Sequence, residues 1–116
     1  MYTYVGKILK VIDGDTCDAQ LSLGFDIWVT QRLRLAGIDT PEVKGESRSS
    51  GLAAKSFVED WVIAAGPTVL IKTYKDKSEK YGRYLAEIFH ADDQSKSLTA
   101  DLLSAGMAKP YSGGAR

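Results

Sequence analysis

At 116 residues, with 44% hydrophobic and 26% charged residues, the chain has room for one compact core and the composition of a folded protein rather than a disordered one. Its formal net charge is zero, which argues against a binder that holds nucleic acid by bulk charge alone, and no apolar run approaches the ~20 residues of a membrane-spanning helix. A single cysteine, Cys17, excludes an internal disulfide and a cysteine-based zinc cluster and reads as a small buried strand residue. The N-terminus, Met1 to Leu9, alternates like a strand and lacks the apolar stretch of a signal peptide. The expected location is therefore the cytoplasm, or outside the cell if a leader was removed, and the expected state is a monomer with no membrane partner.

Alternating or β-branched runs predict five strands, near Thr3–Ile12, Thr16–Leu23, Ile27–Leu35, Thr68–Thr73 and Arg83–Phe89. Asp13-Gly14 reads as the first turn and Gly24-Phe25-Asp26 as the second, so the first three strands form a meander. Between the third and fourth strands, Ala53, Ala54, Phe57, Val58, Trp61 and Val62 recur at helical spacing. Ser49 or Ser50 is placed to cap that helix and Gly66-Pro67 to stop it. A second helix is expected near Leu98–Ala105, ended by Gly106. Trp28, Trp61, Phe57 and Phe89 read as core, and His90 as a surface residue in a turn. The layout is that of an α+β, mainly β, OB-fold: a five-stranded barrel with a helix between strands three and four and a C-terminal helix. One domain is expected over residues 1–111, with 112–116 as a flexible tail.

Charge is unevenly placed. From Val11 to Gln31 the charged residues are Asp13, Asp15, Asp18 and Asp26, whereas Lys72 to Arg83 is mostly basic. An acidic pocket beside a basic strip suits a metal ion next to a polyanion; a solvated mixed surface is the plainer alternative. Taken alone, Asp13-Gly-Asp15 is an ordinary turn sequence. An EF-hand loop starting there is excluded, because its sixth and twelfth positions hold Asp18 and Gly24 instead of glycine and glutamate. Asp39-Thr-Pro-Glu42 follows an apolar strand, and its proline stiffens a turn carrying two carboxylates. If Leu33 and Leu35 face the core, Arg34 points to the other face with Arg32 beside it. Arg83 follows Tyr81-Gly82. An arginine stays charged at any working pH, and its planar fork suits phosphate. Acids for a hard cation and arginines for a phosphate make the set fit for a metal-dependent phosphodiesterase.

Val11-Ile-Asp-Gly-Asp-Thr16, Arg32-Leu-Arg-Leu-Ala-Gly-Ile-Asp-Thr-Pro-Glu42 and Glu79-Lys-Tyr-Gly-Arg83 together resemble the signature of the staphylococcal nuclease family, and Leu103 to Lys109 resembles its C-terminal helix and exit. The resemblance implies an OB barrel and Ca²⁺-dependent hydrolysis of DNA and RNA, leaving 3′-phosphate ends. It implies Ca²⁺ ligation by the carboxylates of Asp15 and Asp39 and by the carbonyl of Thr40, with Asp13 supporting them. It assigns Glu42 to the attacking water, Arg34 and Arg83 to the phosphate, and Lys80 and Tyr81 to a terminal phosphate of bound nucleotide. Tyr111 is a candidate for stacking on a base. The loop from Val43 to the helix is shorter and less lysine-rich than in the family's best-known member, which bears on substrate affinity.

A catalytically silent nucleic-acid-binding or scaffold domain of the same fold is the alternative, and a calcium-binding module without chemistry is a third. Retention of Asp15, Asp39, Glu42, Arg34 and Arg83 together favours the enzyme, and the paired arginines are unexplained by calcium binding alone. Arg34→Ala and Glu42→Ala are each expected to cost several orders of magnitude in rate with little change in fold.

Overall fold

The computed structural model describes residues 2–74 and 84–111. Five strands close into a barrel in the order β3-β2-β1-β5-β6: β1 (Tyr2–Asp13), β2 (Thr16–Ser22), β3 (Trp28–Leu35), β5 (Val69–Tyr74) and β6 (Tyr84–His90). A parallel pairing of β3 with β6, Leu33 beside Tyr84 and Arg34 beside Leu85, shuts the seam. Three short strands are added. β7 (Asp93–Ser97) extends the edge at β6, and β4 (Ile38–Asp39) pairs with β8 (Lys109–Pro110) as a separate ribbon. Two-residue strands have no period to read, and Asp93-Gln-Ser-Lys-Ser97 is polar throughout, so neither kind left a pattern in the sequence.

The barrel follows from alternation. In β2, Cys17, Ala19 and Leu21 are buried while Asp18, Gln20 and Ser22 are not, and Leu33, Leu35, Val69, Ile71, Ala86 and Ile88 fill the same interior from the other strands. β1 is long because it serves two neighbours. Its first half pairs with β5 and its second half with β2. Register shifts between Ile8 and Lys10 and between Val11 and Asp13 let it bend between them. The second shift re-aims Asp13 at the strand's end.

Helix α1 (Arg48–Ala65) closes one end of the barrel with Ala54, Val58 and Trp61. Trp61 Nε1 donates to Asp101 Oδ2 at 2.8 Å, joining α1 to α2 (Leu98–Ser104). The α2 start is capped by Ser97, whose Oγ accepts from the Ala100 amide at 3.3 Å. The expected cap of α1 is corrected: Ser49 and Ser50 lie inside the helix, which begins at Arg48 after a 3₁₀ turn at Gly45–Ser47. Ser47 holds the cap position without a capping bond.

Three expectations about burial also change. Trp28 is 40% exposed on the outer face of β3, with Lys7 Nζ 5.4 Å from its ring centre. Ala53 is exposed. His90 packs at right angles to Trp61, with ring centres 4.8 Å apart, and so belongs to the helix–barrel junction rather than a free turn. The expected tail, 112–116, lies outside the described residues.

Candidate active site

The β1–β2 turn, the end of β3 and the ribbon β4–β8 meet at one end of the barrel. Asp15 is only 8% exposed. Its Oδ1 accepts from the Thr16 hydroxyl at 3.1 Å and its Oδ2 from the Thr40 amide at 3.2 Å, while its own carbonyl accepts from the Leu35 amide at 2.8 Å. These bonds tie the first acidic motif to the second across 25 residues of sequence.

Arg34 joins them. Leu33 and Leu35 do face the interior, as alternation required, yet Arg34 is itself only 7% exposed. Its Nη1 donates to the carbonyls of Leu35 and Ile38, each at 3.2 Å. Its Nη2 lies 3.3 Å from Asp39 Oδ1 and 3.6 Å from Asp15 Oδ2. Tyr111 covers it, with the guanidinium carbon 5.2 Å from the ring centre. The Tyr111 amide donates to the Gly37 carbonyl, and Asp39 pairs with Lys109, so the chain exit is stitched over the arginine. Arg32, expected beside Arg34, is exposed and held in a two-pronged bond to Asp18 at 2.8 and 3.1 Å. The two arginines share a strand face but not a site. Arg32 lies on the open sheet, whereas Arg34 lies under the ribbon.

Asp13 sits half-buried at the end of β1. Burial, then the negative charges of Asp15 and Glu42, push its carboxyl above the usual range, against a smaller pull from Lys55 and Lys44. Glu42 is therefore close enough to be felt by this cluster. Its side chain is exposed, with one oxygen 3.8 Å from Lys44 Nζ. Lys80, Tyr81 and Arg83 lie outside the described residues.

Gly14 explains the middle of the first motif. A Cβ there would stand 2.8 Å from the Ala54 Cβ and 2.9 Å from the Thr40 Oγ1. The glycine is needed for close approach of the turn to helix α1 and to Thr40. Thr40 Oγ1 is itself buried with no hydrogen-bond partner among the described residues, a polar atom aimed into this junction.

The donor chemistry fits a hard cation. Asp15, Asp39 and Thr40 offer only oxygen, and the acids around Asp13 are crowded enough to oppose one another's charge. Among the described residues no three acidic, histidine or cysteine side chains converge as a metal-binding group. Two carboxylates and a backbone carbonyl, completed by water, fall within what Ca²⁺ accepts.

A closed five-stranded barrel of this topology with two helices places the protein in the OB-fold class, and at one end of the barrel an acid pair brackets a buried arginine. The family assignment is direct: a sequence model described as staphylococcal nuclease homologue matches residues 32–115, and the chain belongs to that family. Arg34, Asp39, Thr40 and Glu42 lie inside the match, whereas Asp13 and Asp15 precede it and join them through the fold. The chain is also 29% identical over 128 residues to an uncharacterized protein of Methanocaldococcus jannaschii, covering 93% of this chain. It spans 59% of that relative's length.

Sequence reasoning missed the residues that act through the backbone. Gly14 and Gly51 carry no side chain, the Ser47 hydroxyl acts only on backbone carbonyls, and the carbonyls of Leu35 and Ile38 have no sequence signature. Lys109 was read only as part of a helix exit. Gly14 and Gly51 alone left a signal, as glycines beside and inside regular elements.

Proposed function

We propose that the protein is a Ca²⁺-dependent phosphodiesterase that hydrolyses DNA and RNA and leaves 3′-phosphate ends. The observation that carries this reading is the buried Arg34 guanidinium bracketed by Asp15 and Asp39, with the Glu42 charge reaching the same cluster through Asp13. A simple structural ion pair accounts for one carboxylate, whereas Arg34 has two, Asp15 and Asp39, on the same guanidinium nitrogen.

Asp15 and Asp39 would hold the cation with their carboxylates and Thr40 with its carbonyl, and Asp13 supports them by its charge. Bound there, Ca²⁺ supplies Lewis-acid polarisation of a phosphate oxygen. The chain's own residues do the rest. Glu42, exposed to solvent, orients an attacking water and takes its proton. The water oxygen bonds to phosphorus as the bond to the 5′ oxygen breaks, and the 5′ oxygen takes a proton from Arg83 or from a solvent water and leaves as a hydroxyl. Arg34 stays protonated and stabilises the added negative charge on phosphorus. Its Nη1 bonds to two backbone carbonyls fix the plane of the fork before substrate arrives. Arg83 is assigned the same role, and Lys80, Tyr81 and Tyr111 the binding of the nucleotide. With zero net charge to concentrate a polyanion, binding is expected to be weak and salt-sensitive.

The test is cleavage of single-stranded DNA with millimolar Ca²⁺, repeated with chelator and with Mg²⁺, followed by end-group analysis. Cleavage with Ca²⁺ that leaves 3′-phosphates supports the reading. Glu42→Gln should then lower the rate by about 10²- to 10⁴-fold, the usual contribution of a general base. DNA binding without cleavage would instead identify a silent OB-fold binding domain.

A further inference from the structure

Helix α1 touches both walls of the site through two small residues one turn apart. Gly51 is buried, and a Cβ built on it would stand 2.2 Å from the Glu42 carbonyl oxygen, 2.5 Å from its carbon and 2.8 Å from the Val43 nitrogen. These are backbone atoms, so no side-chain rotation relieves the contact. Three residues on, fully buried Ala54 packs against Gly14 in the β1–β2 turn. Immediately before the helix, the Ser47 hydroxyl shares its one proton between the Glu42 carbonyl at 2.9 Å and the Lys44 carbonyl at 3.1 Å. The Glu42 peptide is thus gripped from two directions while its carboxylate stays in solvent.

We propose that Gly51 is a positioning residue for Glu42. The absence of a side chain lets α1 seat directly on the Glu42 peptide. The Ser47 hydroxyl holds the same carbonyl, and the Ala54–Gly14 contact fixes the helix against the turn that carries Asp13 and Asp15. One rigid helix therefore sets the separation between Glu42 and the Asp15–Thr40 wall. The proposal rests on the hydrolytic reading above, because only there does the reach of the Glu42 carboxylate matter. Its physical logic is that an exposed glutamate cannot be aimed by packing of its own side chain. Its placement then depends on where the backbone is held.

The experiment is a double-mutant cycle with a spectroscopic arm. Gly51→Ala and Ser47→Ala are each made in the parent and in the Glu42→Gln background. In ¹⁵N-labelled protein, Gly51→Ala is expected to move the amide signals of Glu42 and Val43 strongly and those of Asp15 and Thr40 little. With Ca²⁺ and single-stranded DNA, Gly51→Ala should lower kcat by about 100-fold, the cost of an ångström-scale misplacement. Ser47→Ala should lower it by roughly tenfold, with KM within about threefold of the parent in both. In the Glu42→Gln background each substitution should cost less than about twofold more, since the group it positions is already gone.

Equal losses in both backgrounds overturn the proposal, as do parent-like kcat in folded variants or unmoved Glu42 and Val43 signals. Should Gly51→Ala fail to fold, Ser47→Ala carries the test, because it removes a tether without adding an atom. A parent that cleaves nothing refutes the hydrolytic reading by itself. The amide shifts then still decide whether Gly51 sets the Glu42 backbone.

Discussion

Replacing Arg34 with methionine removes a charge while keeping most of the side chain's volume. The guanidinium is 7% exposed, so the change leaves the Leu35 and Ile38 carbonyls without their donor and Asp15 without its cation. Breaking a buried ion pair by deleting one partner costs about 3–5 kcal/mol. The lower end applies here. Asp15 keeps the Thr40 amide and the Thr16 hydroxyl, and the Asp39 side chain, 37% exposed, recovers solvent. A loss of about 3 kcal/mol lowers the midpoint of thermal unfolding by roughly 10 °C in a domain of this size. Urea denaturation of the parent, Arg34→Met, Asp15→Asn and the double variant measures it. The Arg34→Met cost should fall by about 1–2 kcal/mol in the Asp15→Asn background, because the stranded charge is then absent. A cost under about 1 kcal/mol, or the same cost in both backgrounds, would refute the account of Arg34 as the hub of the site. On this account Arg34→Ala should also destabilise the fold, whereas Glu42→Ala, at a side chain 64% exposed, should spare it.

Three further outcomes can be checked. Gly14→Ala should destabilise by about 1–3 kcal/mol in urea, since its Cβ meets Ala54 and Thr40; an unchanged midpoint would show that the junction yields. The Cys17 thiol, pushed up to about 12 by burial and then by Asp18, should not react with a disulfide reagent in native protein at pH 8, and should react fully in denaturant. Tyr74 donates its phenol proton to Glu87, and that bond, ahead of burial, raises its pKa to about 12. A raised pKa means stability that is present below the unfolded value of ~10 and is lost as pH climbs toward the folded one. Tyr74→Phe should therefore cost about 1 kcal/mol at pH 7, with the gap closing above pH 10; a gap that is constant with pH would remove the assignment.

The site was legible where chemistry and order coincide. Asp15, Asp39, Thr40 and Arg34 were named from their motifs, and the structure brings those four together. Glu42 was named in the same way, and only its charge is seen to reach the cluster. The role of each in turnover belongs to the proposed function. The barrel was legible because β2, β5 and β6 bury alternate residues and leave a period of two in the sequence, whereas β3 buries Leu33, Arg34 and Leu35 in succession. The helices were legible through their apolar stripe, although the start of α1 was misplaced. A serine's preference for capping does not reveal that Ser47 turns its hydroxyl toward Glu42 and Lys44 instead.

The sequence by itself determined which residue types are present, in what order, and that five barrel strands and two helices form, because those depend on local pattern. Tertiary structure decided how those residues are used. Arg34 and Arg32 are two positions apart on one strand face, and nothing local separates them. The β4–β8 ribbon and Tyr111 bury the first, while the second stays in solvent on Asp18. Gly14 and Gly51 read as a turn residue and a weak helix position, and became contact points only when α1 docked. Pairings between distant segments set burial and close approach, and burial and close approach set the chemistry.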